Sequence, residues 1–149
     1  MSATGLDTFD RTIQTTHLWL HDIEGVLGPD RQVAWRSLGA VLHALRDRLP
    51  LEVAVHLGAQ LPLLVRGLYY DQWHLHRHPE PGRDAEAFRD EIARTLHDLR
   101  PVNPDRAAHA VFTDLTRHVD PGQIVKVREA LPKRLRALWA IEAPPPAEA

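Results

Sequence analysis

At 149 residues the chain is long enough for one domain, or for one domain made of two small repeats, and can bury roughly two-thirds of its unfolded surface. A net charge of −2, with 44% hydrophobic and 26% charged residues, is the balance of a globular protein and gives bulk charge no pull toward nucleic acid or an anionic membrane. The chain has no cysteine, which excludes disulfides, thiolate metal sites and a cysteine nucleophile.

No apolar run approaches the roughly 20 residues a membrane span needs. The opening Met-Ser-Ala-Thr-Gly lacks the basic and apolar regions of a signal peptide. A cytoplasmic location is therefore the expectation, with residues 1–7 and 142–149 as disordered tails.

The first helix is predicted from about Thr8 to Leu27, striped by Phe9, Ile13, Thr16, Leu20, Ile23 and Leu27 at spacings of three and four. Gly28-Pro29-Asp30 ends it, because glycine and proline break a helix interior and proline suits a first turn. A second helix, about Asp30 to Arg48, buries Ala34, Leu38, Val41, Leu42, Leu45 and Leu49, and stops at Leu49-Pro50. A third, about Leu51 to Gln60, carries Val53 and Leu57. A fourth restarts at Pro62 and bears Leu64, Val65 and Leu68.

Residues 74–83, rich in histidine and proline, read as a loop between a first repeat at 8–73 and a second at 84–141. In the second, Phe88, Ile92, Leu96 and Leu99 stripe one helix. Asn103-Pro104 caps the next, with Ala108, Val111, Phe112 and Leu115. Asp120-Pro121-Gly122 breaks the chain before a short helix with Ile124, Val127 and Leu131. Pro132 opens the last helix, with Leu135, Leu138 and Trp139. No stretch alternates long enough to be a strand. The expected fold is all-α: about eight helices, in two related four-helix repeats sharing one core.

The repeat reading rests on a doubled motif. Gln60-Leu61-Pro62-Leu63-Leu64-Val65-Arg66-Gly67-Leu68-Tyr69 is matched seventy positions later by Ala130-Leu131-Pro132-Lys133-Arg134-Leu135-Arg136-Ala137-Leu138-Trp139. Both halves contain Leu-Pro, an arginine four residues on, and an aromatic three residues after that. The plain reading is structural: proline fixes a helix start, leucine packs, and arginine caps carbonyls or pairs with an acid. The functional reading has Arg66 and Arg136 flanking a shared groove.

Three stretches carry a family resemblance: Val41-Leu42-His43-Ala44-Leu45-Arg46-Asp47-Arg48-Leu49-Pro50, Ala59-Gln60-Leu61-Pro62 through Tyr69-Tyr70, and Arg117-His118-Val119-Asp120-Pro121-Gly122-Gln123-Ile124 with Ala130-Leu131-Pro132. Across about Phe9 to Trp139 the chain resembles a bacterial family of unknown function, the domain of unknown function numbered 2267. That resemblance implies an all-helical fold and no particular activity or catalytic residue. The alternating histidines after Tyr70 are a local departure from it.

Ten histidines suggest two places for a metal. His17 and His21 are spaced i,i+4 on one face of a helix, and His74, His76 and His78 alternate in the following loop, so that an extended chain could converge them. Asp22, Glu24 and Asp71 are possible oxygen ligands. The bland reading is a solvated helix face and a polar loop. His43, His56, His97, His109 and His118 are scattered and read as surface or boundary residues. The aromatic block Tyr69, Tyr70 and Trp73, with Trp139 in the second half, is either a packed helix end or a partner-binding anchor.

Enzyme signatures are missing. There is no glycine-rich phosphate loop, no Gly-x-Ser-x-Gly elbow and no His-Glu-x2-His, and the only serines are Ser2 and Ser37. The basic residues Lys126, Arg128, Lys133, Arg134 and Arg136 are interrupted by Glu129 and lack interleaved aromatics, which argues against nucleic acid. The reading is a non-enzymatic module for a protein partner or for self-association, contacted through Arg66, Tyr69, Tyr70, Trp73, Arg136 and Trp139. No cofactor, nucleic acid or membrane is expected. The alternative is a transition-metal protein, for instance of zinc, using His17, His21, His74, His76 and His78.

Overall fold

The computed structural model describes residues 3–75, 78 and 84–140. Every helix after the first begins at a capping side chain or just after a proline. After α1 (Asp7–Leu27), Gly28 turns the chain at φ 106°, a conformation that favours glycine. Asp30 then accepts from Val33 N–H to start α2 (Arg31–Arg48). Pro50 and Pro62 stand just before α3 (Leu51–Ala59) and α4 (Leu63–Tyr70). Asp84, Asn103 and Asp120 cap α5 (Ala85–Thr95), α6 (Pro104–His118) and α7 (Pro121–Ala130), the last two with proline in the first turn. The final helix, α8, spans Lys133–Ala140. No strand occurs among the described residues, so the chain is an all-α bundle of eight helices there.

The halves do not form separate bundles. Helix α1 packs most extensively on α6 and α2, and α5 packs on α2 and α6, while α2 crosses α6 and α3 lies against α7. Exchanging α1 with α5, α2 with α6, α3 with α7 and α4 with α8 turns each principal pairing into another or into itself, apart from that of α6 with α7. The apolar side chains of both halves accordingly join one continuous core, from Trp19, Leu20 and Ile23 to Leu135, Leu138 and Trp139.

The α1 stripe is shorter than predicted. Thr16, Leu20 and Ile23 are buried, but Phe9 and Ile13 are 50% and 38% exposed. They stand at the wall of an open groove, with no helix laid over them among the described residues. Trp19, outside the predicted stripe, is buried instead and stacks its ring on His118 of α6 at 5.0 Å. Leu64, expected in the core, is likewise 43% exposed.

The two motif arginines close the turns between short helices. Arg66 donates from Nε to Gly58 O at 3.1 Å and from Nη2 to Ala59 O at 3.2 Å and Leu61 O at 2.8 Å. Arg136 donates from Nε to Arg128 O at 3.0 Å and from Nη2 to Glu129 O at 3.2 Å and Leu131 O at 3.3 Å. The contacts match atom for atom at an offset of seventy residues. They satisfy carbonyls left over at the ends of α3 and α7. Arg66→Ala and Arg136→Ala should therefore each cost about 1–3 kcal/mol in urea unfolding. Lysine should not restore it, since an ammonium lacks the planar fork. A loss under about 0.5 kcal/mol at either position would show that water serves those carbonyls equally well.

Candidate functional site

Two features stand out once the helices are placed. The first is an apolar groove between α1, α2 and α4. One section, about 630 Å³, is lined by Phe9, Ile13, Trp35, Leu63, Leu64 and Leu68, with Thr12, Gly67 and Asp71 at its edges. A neighbouring section of about 540 Å³ shares Ile13, Trp35 and Leu64 and runs on to Leu20, His17, Gln32 and Arg31. The Thr12 hydroxyl accepts from Leu64 N–H at 3.0 Å, tying the start of α4 to α1 beneath the groove. The groove is apolar along its length, with an acid at one end and a base at the other.

The groove is not a requirement of the fold. At the offset that superposes the arginine contacts, Leu63 and Leu64 correspond to Lys133 and Arg134. All four are exposed, so the same two helix positions carry leucines in one half and cations in the other. Leu63 and Leu64 are 52% and 43% exposed, close to Phe9 and Ile13, and together they make a contiguous apolar patch of the kind that marks an interaction surface.

The second feature is polar and lies on the α1–α6 seam. Asp114, one turn before His118 on α6, points inward and its side chain is 0% exposed. Neither of its oxygens accepts a hydrogen bond from the rest of the fold. His118 Nε2 lies 3.3 Å from Asp114 Oδ1 but is aimed at Asp22 Oδ2, 3.0 Å away on α1. Arg117 meets the other Asp22 oxygen, Oδ1, at 2.8 Å.

Burial pushes the Asp114 carboxyl up to about 9, helped by the contact with the Asp22 carboxyl and its charge, against a smaller pull from Arg117. For Asp22 burial also raises, but hydrogen bonds with Asp114 and His118 and the nearby Arg117 outweigh it, holding this carboxyl below its ordinary value. The pair thus holds one proton on the buried Asp114 and one negative charge on Asp22, facing Arg117.

The family pattern of an uncharacterised conserved protein, DUF2267, matches residues 16–138, from the middle of α1 to α8. The chain belongs to the DUF2267 family. A comparison with curated proteins finds no match. The family description names no chemistry, so the reading of this DUF2267 chain rests on its own side chains.

The residues singled out from sequence fall as follows. His17 and His21 are both exposed on α1, and the His17 ring meets Arg31 through Nδ1. His74 is exposed, His78 accepts from Trp73 Nε1 at 3.4 Å, and His76 lies outside the described residues. Among the described residues, three metal-ligand groups converge at Asp22, Asp114 and His118, and none of the five proposed histidines is among them.

The partner-binding candidates are largely engaged within the DUF2267 fold. Tyr69 is fully buried, its hydroxyl donating to Ala54 O at 2.7 Å. Tyr70 donates to Val55 O and stacks on Trp73, over which Arg46 sits at 5.4 Å. Trp139 stacks on Phe112 at 4.3 Å and donates to Thr116. Arg66 and Arg136 hold the carbonyls described above. The exposed anchors are Phe9, Ile13, Leu63 and Leu64 instead.

The sequence held one signal for the polar cluster. Asp114 falls three residues after Val111 and next to Leu115, inside an apolar stripe where a carboxylate is out of place. What it lacked was the distance between α1 and α6, which brings Asp22 to His118 from ninety-six positions away.

Proposed function

We propose that this DUF2267 chain is a non-enzymatic helical module that self-associates through the groove between α1, α2 and α4. The observation that carries the reading is the pair Leu63–Leu64, exposed and apolar where the second half places Lys133–Arg134. A second copy is the occupant that fits. The patch offers its own knobs, Phe9 and Ile13, beside its own hollow under Trp35 and Leu68. A two-fold axis across it sets the Asp71 end of one copy against the end of the other where Arg31 and His17 lie. Arg31 also pairs with Glu24 at 3.0 Å, which holds its guanidinium at that rim.

The test exchanges the patch for its counterpart. Leu63→Lys with Leu64→Arg writes the second half's residues into the first, at positions where the fold already carries them. The expected result is a concentration-dependent dimer for the natural chain in sedimentation, and a monomer with unchanged helicity for the double variant. A natural chain that stays monomeric to about 1 mM would leave less than about 4 kcal/mol for self-association and overturn the reading. So would a dimer that the double variant forms as well. Heteromeric capture by a monomeric chain would count the same way, since it assigns the groove to a different protein.

A further inference from the structure

The geometry points to a divalent transition-metal site formed by Asp22, Asp114 and His118 at the α1–α6 seam. One ligand-type atom from each residue lies within 4.8 Å of the others. His118 Nε2 is 3.0 Å from Asp22 Oδ2 and 3.3 Å from Asp114 Oδ1. Bonds of about 2.0–2.1 Å to a common ion place neighbouring ligand atoms about 2.9 Å apart at octahedral angles and about 3.4 Å apart at tetrahedral ones. Both spacings from His118 fall in that interval, and the two carboxylates lie within 4.8 Å of one another.

The independent observation is the state of Asp114. Its side chain is completely buried and directed into this corner, where it faces His118 Nε2 at 3.3 Å and the Asp22 carboxyl and accepts no hydrogen bond from the rest of the fold. Buried carboxylates elsewhere in proteins are paired, hydrogen-bonded or bound to metal. A cation between the three groups would be met by a buried carboxylate oxygen that the rest of the fold leaves without a donor.

The surrounding residues suit ligands rather than a plain ion pair. Arg117 binds Asp22 through Oδ1 and leaves Oδ2 facing the corner, the arrangement in which a ligating carboxylate is braced from outside. Trp19 stacks on the His118 ring at 5.0 Å and 19°, fixing the direction of Nε2. Asp22 and His118 remain 24% and 26% exposed, so an ion has an entry path and room for water beyond three protein ligands. Two carboxylate oxygens and one imidazole, with no sulfur, fit zinc, manganese or ferrous iron and not a soft ion.

The experiment uses the full chain without an affinity tag, stripped by a chelator and then titrated with zinc and with manganese separately. One of these metals should bind at about one equivalent and raise the melting temperature. Asp114→Asn and His118→Ala should each weaken binding at least about 100-fold and abolish the thermal shift, with helicity retained by circular dichroism. Combined His17→Ala, His21→Ala and His74→Ala should leave binding unchanged. Less than about a tenth of an equivalent of either metal on the natural chain would overturn the assignment. Binding that survives Asp114→Asn, or that follows the three surface histidines, would overturn it equally.

Discussion

Residues 1–73 produced alone are expected to be largely unfolded, although they contain four complete helices and a full copy of the doubled motif. Cutting there removes α6 from α1, α5 and α6 from α2, and α7 from α3, which are among the main contacts those helices make. Each large apolar side chain returned to water costs about 1.5–3 kcal/mol. Losing cover over four of them removes about 6–12 kcal/mol, as much as the whole stability of an ordinary domain at about 5–15 kcal/mol. Helices of eight, nine, eighteen and twenty-one residues do not persist in water without such cover. Circular dichroism of 1–73 should show a weak, non-cooperative signal, and mixing with residues 84–140 should restore a cooperative melt. A cooperative transition for 1–73 near that of the full chain would mean that its core closes by itself and that the α1–α6 seam is dispensable.

In a chelator, Asp114→Asn should make the protein more stable than the natural chain at pH 8 and indistinguishable from it near pH 4. The sign follows from the raised carboxyl. Unfolded, Asp114 titrates near 3.8, while in the fold it holds its proton up to about 9. Across that window the folded state binds the extra proton, so its stability falls as pH rises and levels off above the upper limit. One unit of displacement corresponds to about 1.4 kcal/mol, which makes the effect several kcal/mol in magnitude.

Asp22 works the other way in a lower window. Its depressed carboxyl contributes stability that is present above the unfolded value and lost as pH falls through the folded one. Asparagine keeps the shape of Asp114 without a charge to ionise, so the downward slope between pH 5 and 8 should vanish. Urea unfolding at those two pH values measures it. A variant with the same slope as the natural chain would place the titrating group elsewhere.

Helix order was legible because most boundaries carry local chemistry. Asp30, Asn103-Pro104 and Asp120-Pro121 announce starts, and Pro50, Pro62 and Pro132 separate short helices, whatever lies across the bundle. The core was legible wherever a helix is covered along its length, as α2 is from Ala34 to Leu49. Legibility failed at the start of α1. There the three-and-four periodicity of Phe9 and Ile13 continues into a groove, and periodicity records which face is apolar without recording whether anything covers it. Tyr69 and Trp139 failed in the opposite sense: aromatic residues suit an interface and a core equally, and here they are packed inside.

By itself the sequence determined an all-α fold of about eight helices, their order and most of their boundaries, and a motif doubled at an offset of seventy residues. These depend on interactions within about ten residues, which residue type and spacing encode directly. Only the tertiary structure decided that α1 lies on α6, that Leu63 and Leu64 face an open groove, and that Asp22, Asp114 and His118 meet. Those facts depend on which helix faces become neighbours. Many arrangements of the same amphipathic helices hide the same leucines, and the choice among them is made by the packing of the whole core.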